Sequence, residues 1–302
     1  MRPRGSGPIR VVEVGPRDGL QNERAIVALD AKTRFVEALA DAGLREVEAG
    51  AFVHPDRVPQ MADSGALFAR LKRRAGVTYS ALVPNETGLE RALEAKADKI
   101  AVFTAASETF NRKNINASIA RSLERFAPVV RRAREARLPV RGYVSTAFWC
   151  PFEGRIPPKA AVDVCLRLLD LGVAELSVGD TIGRACPDDV RSLLEYLVER
   201  IPLDKIFLHL HDTYGMAVAN ALCAWTEFGV TGFDASAGGL GGCPYAPGAS
   251  GNVATEDLLF AFHASGAEVP ADAFAVAGAA RALEPALGRP LASRLCRVGA
   301  PR

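Results

Sequence analysis

The segment IFLHLHD carries histidines at positions 209 and 211 inside an apolar run. If the run is a strand, its period of two turns both imidazoles to one face. Two neutral imidazoles side by side in an apolar interior each need a polar partner. A divalent cation would serve both; a packed, hydrogen-bonded pair is the competing reading. Arg17 and Asp18 follow the first apolar run, in EVGPRDGLQ. Taken alone such a pair reads as a surface ion pair. Glu48 lies among apolar neighbours in VEAGAF, and Asp180 precedes a threonine and a glycine in GDTIG, a setting typical of turn carboxylates. A glycine-rich stretch, GGLGGCPYAPGASGN, carries Cys243 and ends on Asn252. Two nitrogen ligands (His209, His211) and two oxygen ligands (Asp18, Asn252) would suit Mg²⁺, Mn²⁺, Co²⁺ or Zn²⁺.

These residues act together only if the fold gathers them. β-rich runs recur at 9–14, 46–48, 77–82, 99–103, 140–146, 175–178, 206–211 and 232–235. Helical patterns alternate with them at 31–42, 65–74, 88–97, 115–137, 158–171, 187–198, 216–228 and 255–264. Asp30 and Thr255 stand where caps would open the first and last helix. Eight strand–helix units predict an α/β chain folded as a (β/α)₈ TIM barrel with a C-terminal helical extension; an open doubly wound sheet is the rival. The expected organisation is one domain, with the barrel over 8–266 and a helical tail over 270–302. Chemistry in such barrels sits at the C-terminal ends of the strands. Strand eight then neighbours strands seven and one, so Asp18, His209, His211 and Asn252 can meet at one point of the rim. The glycines before Asn252 suit a loop that closes over that point, and Cys243 would ride on it. Phosphate cradling is a weaker reading, because no GxxxxGK[ST] precedes a helix.

Composition narrows the function classes. The 302 residues are 49% hydrophobic and 24% charged, with a net charge of +2. Nothing in that balance points to nucleic acid or to a membrane surface, and no apolar run reaches the ~18 residues of a membrane span. Six cysteines without a CxxC pair argue against a disulfide framework and for a reducing, cytoplasmic setting.

VGPRDGLQNE, FVHPDRVPQMAD, KNIN, PFEG, GDTIG, HLHDTYG and GGLGGCPYAPGASGNVATEDL follow one another in the order and spacing of a known family. The chain resembles the 3-hydroxy-3-methylglutaryl-CoA lyases, metal-dependent TIM-barrel lyases. The resemblance implies cleavage of an acyl-CoA substrate, 3-hydroxy-3-methylglutaryl-CoA, to acetyl-CoA and acetoacetate. It implies Asp18, His209, His211 and Asn252 as ligands of a divalent cation, Mg²⁺ or Mn²⁺ before Co²⁺ or Zn²⁺. It also implies Arg17 at the thioester carbonyl, Glu48 and Asp180 in the substrate shell, Cys243 as the loop thiol that protonates the enolate, and a homodimer. Asp18 beside the metal is expected to take the hydroxyl proton. The chain departs from the family at Ala49-Gly50-Ala51 and at Phe148-Trp149, and these positions are expected to shift the acyl group accepted. Arg112, Lys113 and Asn114 follow strand four, where they could meet phosphates or form a solvated loop. The nearest rivals are a condensing enzyme of the same superfamily, against which the short tail argues, and an aldolase of free acids; the cysteine loop favours thioester cleavage over both.

Overall fold

The computed structural model describes residues 7–242 and 251–298. Eight parallel strands close into a barrel: β1 (Arg10–Glu13), β2 (Glu46–Ala51), β3 (Thr78–Leu82), β4 (Lys99–Ala105), β5 (Val140–Ser145), β6 (Glu175–Asp180), β7 (Ile206–Leu210) and β8 (Gly232–Ala235). Each strand pairs with its sequence neighbours, and β8 closes on β1 with Arg10 opposite Gly232 and Glu13 opposite Ala235. The barrel therefore replaces the open-sheet alternative.

Most expected elements lie where the patterns put them, and the exceptions have local causes. β2 runs on past Glu48 to Ala51, with a register irregularity between Glu48 and Gly50. The helical pattern at 115–137 is realised as Ile119–Glu135, and a separate, unexpected helix, Glu108–Ile115, precedes it. Asn116 takes a left-handed conformation, φ 50°, and stops the first helix; the Ser118 hydroxyl then accepts from the Arg121 amide at 3.1 Å and caps the second. Neither expected cap forms. Asp30 falls inside the first turn of Leu29–Asp41. Thr255 begins Thr255–Ala264, but its hydroxyl donates instead to Glu13 at 2.6 Å.

The main apolar core lies between the sheet and the surrounding helices. Inside the barrel a separate apolar cluster holds only Val12, Val14 and Phe207. Ion pairs fill much of the remaining interior: Lys99 bridges Glu46 at 2.8 Å and Glu175 at 2.9 Å, and Arg141 reaches Glu175 at 2.6 Å and also pairs with Asp234. That filling is unusual for a fold whose interior is ordinarily layered with Val, Ile and Leu. Beyond the barrel, Ala273–Arg281 packs outside it against Thr255–Ala264 and Leu29–Asp41. No helix among the described residues is long and apolar enough to cross a membrane.

Candidate active site

Sharp turns set the rim. After β1 the chain turns through Gly15–Gly19 and delivers Arg17 and Asp18. This turn packs closely on the segment after β8. A Cβ at Gly19 would lie 2.6 Å from Ser236 Oγ and 2.8 Å from Leu240 Cβ. Only glycine fits so close an approach. Buried Glu13 ties the two segments: it accepts the amides of Gly15 at 2.7 Å and Ala237 at 2.9 Å besides the Thr255 hydroxyl. Burial pushes its carboxyl up to about 7 despite these bonds.

Backbone pairing brings Asn252 back to the rim. His211 and Asn252 form an antiparallel bridge just beyond β7. Around it the Asp212 amide donates to Gly251 O and the Val253 amide to Leu210 O, both at 2.9 Å. The glycine-rich stretch is thus fastened at its return end to the strand that carries both histidines.

Asp18, His209 and His211 each present a ligand atom, all within 4.8 Å of one another. His209 Nε2 is 3.2 Å from His211 Nε2 and 3.9 Å from Asp18 Oδ2. The Asn252 amide donates to Asp18 Oδ2 at 2.9 Å, while its oxygen, buried, has no hydrogen-bond partner among the described residues. A buried orphan acceptor beside two imidazoles and a carboxylate is the donor set that a divalent cation satisfies. The four expected ligands therefore converge.

Their ionisation suits that use. Burial raises the Asp18 carboxyl, but the charges of Arg17, His209 and His211 outweigh it and hold it down at about 2. Burial, with the neighbouring His209, pulls His211 down to about 4. Burial also pulls on His209, but the Asp234 hydrogen bond and the charges of Asp18 and Asp234 win, and its pKa lies above the ordinary 6.5. A cation must displace that proton. Metal affinity is therefore expected to strengthen about tenfold per pH unit below the His209 pKa and to level off above it. Mn²⁺ titrations between pH 6 and 9 check this; a flat profile would contradict it.

Arg17 is the buried cation of the site. Its Nε donates to Glu48 Oε2 and its Nη1 to Asp18 Oδ1, each at 2.6 Å, and it lies over the Tyr143 ring at 5.3 Å. Burial opposes its charge, but Glu48 and Asp18 raise its pKa far beyond any working pH. Tyr143 donates to the same Glu48 oxygen at 3.1 Å. Arg17 and Tyr143, with Asp18, His209 and His211, line a cavity of about 190 Å³ together with Gln21, Asn114, Ser177, Thr181 and an apolar wall of Leu82, Phe103 and Phe110, while Glu48 holds Arg17 and does not itself line it.

The other expected residues take different places. Asp180 does not line this cavity. Its oxygens accept the amides of Arg184 at 3.1 Å and Ala185 at 3.0 Å, so it organises the turn after β6. Burial pushes it up to about 7. Along β6 the inward positions are those of Ser177 and Gly179, and Asp180 has the opposite parity. Ala49, Gly50 and Ala51 are also absent from the lining; the Ala51 amide donates outward to Ser64 Oγ at 3.1 Å. Phe148 is packed in the outer core, and Trp149 starts a small hairpin with Gly154–Arg155, its indole donating to Asp189 at 3.1 Å under Arg184. Neither pair of departures therefore shapes the cavity wall. The 112–114 group is exposed throughout, and of the three only Asn114 lines the cavity. Cys243 lies outside the described residues. The sequence reading missed Asp234, Arg141 and Tyr143. A polar residue at every second position of VRGYVS was the available signal.

A family profile described as HMGL-like matches residues 8–282. The chain is 52% identical over 269 residues to a hydroxymethylglutaryl-CoA lyase of Pseudomonas mevalonii, with 89% of each chain covered. It is 45% identical over 290 residues to a Pseudomonas aeruginosa protein named 3-hydroxy-3-isohexenylglutaryl-CoA/hydroxy-methylglutaryl-CoA lyase, with 96% of each covered. The fold superposes on the crystal structure of Bacillus subtilis HMG-CoA lyase with a TM-score of 0.95 at 44% identity, covering 97% of this chain and 98% of that one. An HMG-CoA lyase from Acinetobacter baumannii, solved in complex with coenzyme A and 3-methylmalate, matches with a TM-score of 0.92 at 36% identity, covering 97% and 95%.

Proposed function

Since the chain belongs to the HMGL-like family, we propose that it is a divalent-metal-dependent carbon–carbon lyase that cleaves 3-hydroxy-3-methylglutaryl-CoA to acetyl-CoA and acetoacetate. The observation that carries this reading is the meeting of a permanently charged guanidinium, Arg17, with Asp18, His209 and His211 on one cavity, Asn252 being hydrogen-bonded to Asp18 beside it. In a retro-Claisen cleavage the tertiary hydroxyl loses its proton, the adjacent C–C bond breaks, and its electron pair becomes the enolate of the leaving thioester. That enolate then takes a proton to give acetyl-CoA.

Asp18, His209, His211 and Asn252 would hold the cation. When bound, a divalent cation supplies Lewis acidity that makes the hydroxyl easier to ionise. Arg17 stabilises the thioester oxygen as enolate charge develops there, and Glu48, backed by Tyr143, fixes the angle of the guanidinium. Asp18, the carboxylate beside the cation, is the proposed acceptor of the hydroxyl proton; its pKa of about 2 is met by the acidity that a bound cation would give the hydroxyl. Cys243 is the proposed donor to the enolate. Cys243→Ser is expected to reduce turnover at least about a hundredfold with metal content unchanged; unaltered turnover would remove the thiol from the mechanism.

The direct test is acetoacetate release from 3-hydroxy-3-methylglutaryl-CoA with Mg²⁺ or Mn²⁺, a thiol and an EDTA control. Metal-dependent release is expected. The relative named for an isohexenylglutaryl-CoA substrate favours one further reading, a lyase for a longer 3-alkyl group. No methylglutaryl cleavage by folded, metal-binding protein, with cleavage of the longer analogue, would select it.

A further inference from the structure

Asp234 sits directly behind the histidine pair. It is opposite His209 in the β8–β7 register and 1% exposed. One carboxylate oxygen, Oδ2, is 3.2 Å from His209 Nδ1 and accepts from Ser177 Oγ at 2.5 Å. The other, Oδ1, pairs with Arg141, itself 1% exposed and anchored by Glu175 at 2.6 Å. A carboxylate held ionised by a buried guanidinium can only accept, so His209 must carry its proton on Nδ1. In the neutral ring His209 Nε2 is then a bare lone pair, and the 3.2 Å contact with His211 Nε2 requires His211 to be the donor there. His211 Nδ1 is the unprotonated atom, and it is the one that has no partner among the described residues. The three contacts give one consistent proton arrangement.

We propose that Asp234 is a positioning residue that presets His209 in the Nδ1–H tautomer, leaving Nε2 ready for a cation, while His211 has no such support and must change tautomer when the cation enters. This rests on the metal-centre reading above. A carboxylate behind a ligating imidazole fixes the ring and raises its basicity, and its loss typically lowers metal affinity 10- to 100-fold.

Asp234→Asn is the informative change. Arg141 and Ser177 are both donors at this carboxylate, so they would draw the Asn oxygen and turn its NH₂ toward His209 Nδ1. His209 would then hold its proton on Nε2, the wrong nitrogen for a ligand. Two measurements test this. In the metal-free native protein, ¹⁵N NMR of the histidine rings, at a pH where they are neutral, is expected to show His209 as Nδ1–H and His211 as Nε2–H, assigned with His209→Gln. An Nε2–H His209 would overturn the proposal without any variant. Titration with Co²⁺, followed by its visible spectrum, is expected to show affinity about 10- to 100-fold weaker in Asp234→Asn, with kcat largely recovered at saturating metal. Native protein that binds Co²⁺ alongside a variant that binds it equally well would also overturn the proposal. Native protein that binds no Co²⁺ would sink the metal centre itself, and the proposal with it.

Discussion

Arg17→Gln is expected to lower turnover by about a hundredfold or more, the scale of losing a preorganised charge at a developing oxyanion, with metal content intact. The same change should destabilise the fold. Glu48 would lose its 2.6 Å partner and keep only Tyr143 at 3.1 Å, in a position 1% exposed. Breaking a buried pair from one side costs about 3–5 kcal/mol. Burial already raises the Glu48 carboxyl against the charge of Arg17, so without Arg17 it takes up a proton. The double variant Arg17→Gln, Glu48→Gln separates the two effects. It should regain much of the stability in urea unfolding but none of the turnover. Turnover that returns with stability would reduce Arg17 to a structural role.

Arg141→Met is expected to cause the largest loss of stability in the barrel, about 3–5 kcal/mol. It leaves Asp234 wholly buried with Ser177 and His209 as its remaining partners. The sign of the pH dependence follows. In the native protein burial raises Asp234, but Arg141 and His209 outweigh it and hold its pKa below the usual 3.8. That stabilisation is present above pH 3.8 and lost as pH falls through the lower folded value. Without Arg141, burial dominates and the pKa rises above 3.8. The variant then pays its penalty progressively as pH climbs from 3.8 through the new value. The gap between native and variant urea midpoints should be wide at pH 7 and narrow at pH 4. A constant gap would assign the loss to packing alone.

The period-two rule made much of this site legible. His209 and His211 share parity, and once eight strand–helix units are counted, closure puts Asp18 and Asn252 beside them. The same rule, applied to β6, separates Asp180 from Ser177, so its outward turn was within reach of the sequence. Arg141 and Asp234 were harder. Each is the one charge in its strand, and their meeting joins positions 93 residues apart. Strand alternation marks a residue as inward but does not say which inward residue it faces across a barrel. The Thr255 hydroxyl illustrates a second limit. A nearby buried carboxylate, Glu13, captured it from the local capping role that its position suggested.

The ionic filling of the barrel has a calorimetric consequence. On unfolding, exposed apolar surface raises the heat capacity by about 0.45 cal/K/mol per Å², whereas exposed polar surface lowers it by about 0.26. Glu46, Lys99, Arg141, Glu175 and Asp234 occupy space that aliphatic layers fill in other barrels of this kind. Unfolding this chain therefore releases less apolar area from the barrel interior than an aliphatic filling would. Its stability curve should be correspondingly flatter, so that folding free energy changes more slowly on either side of its maximum.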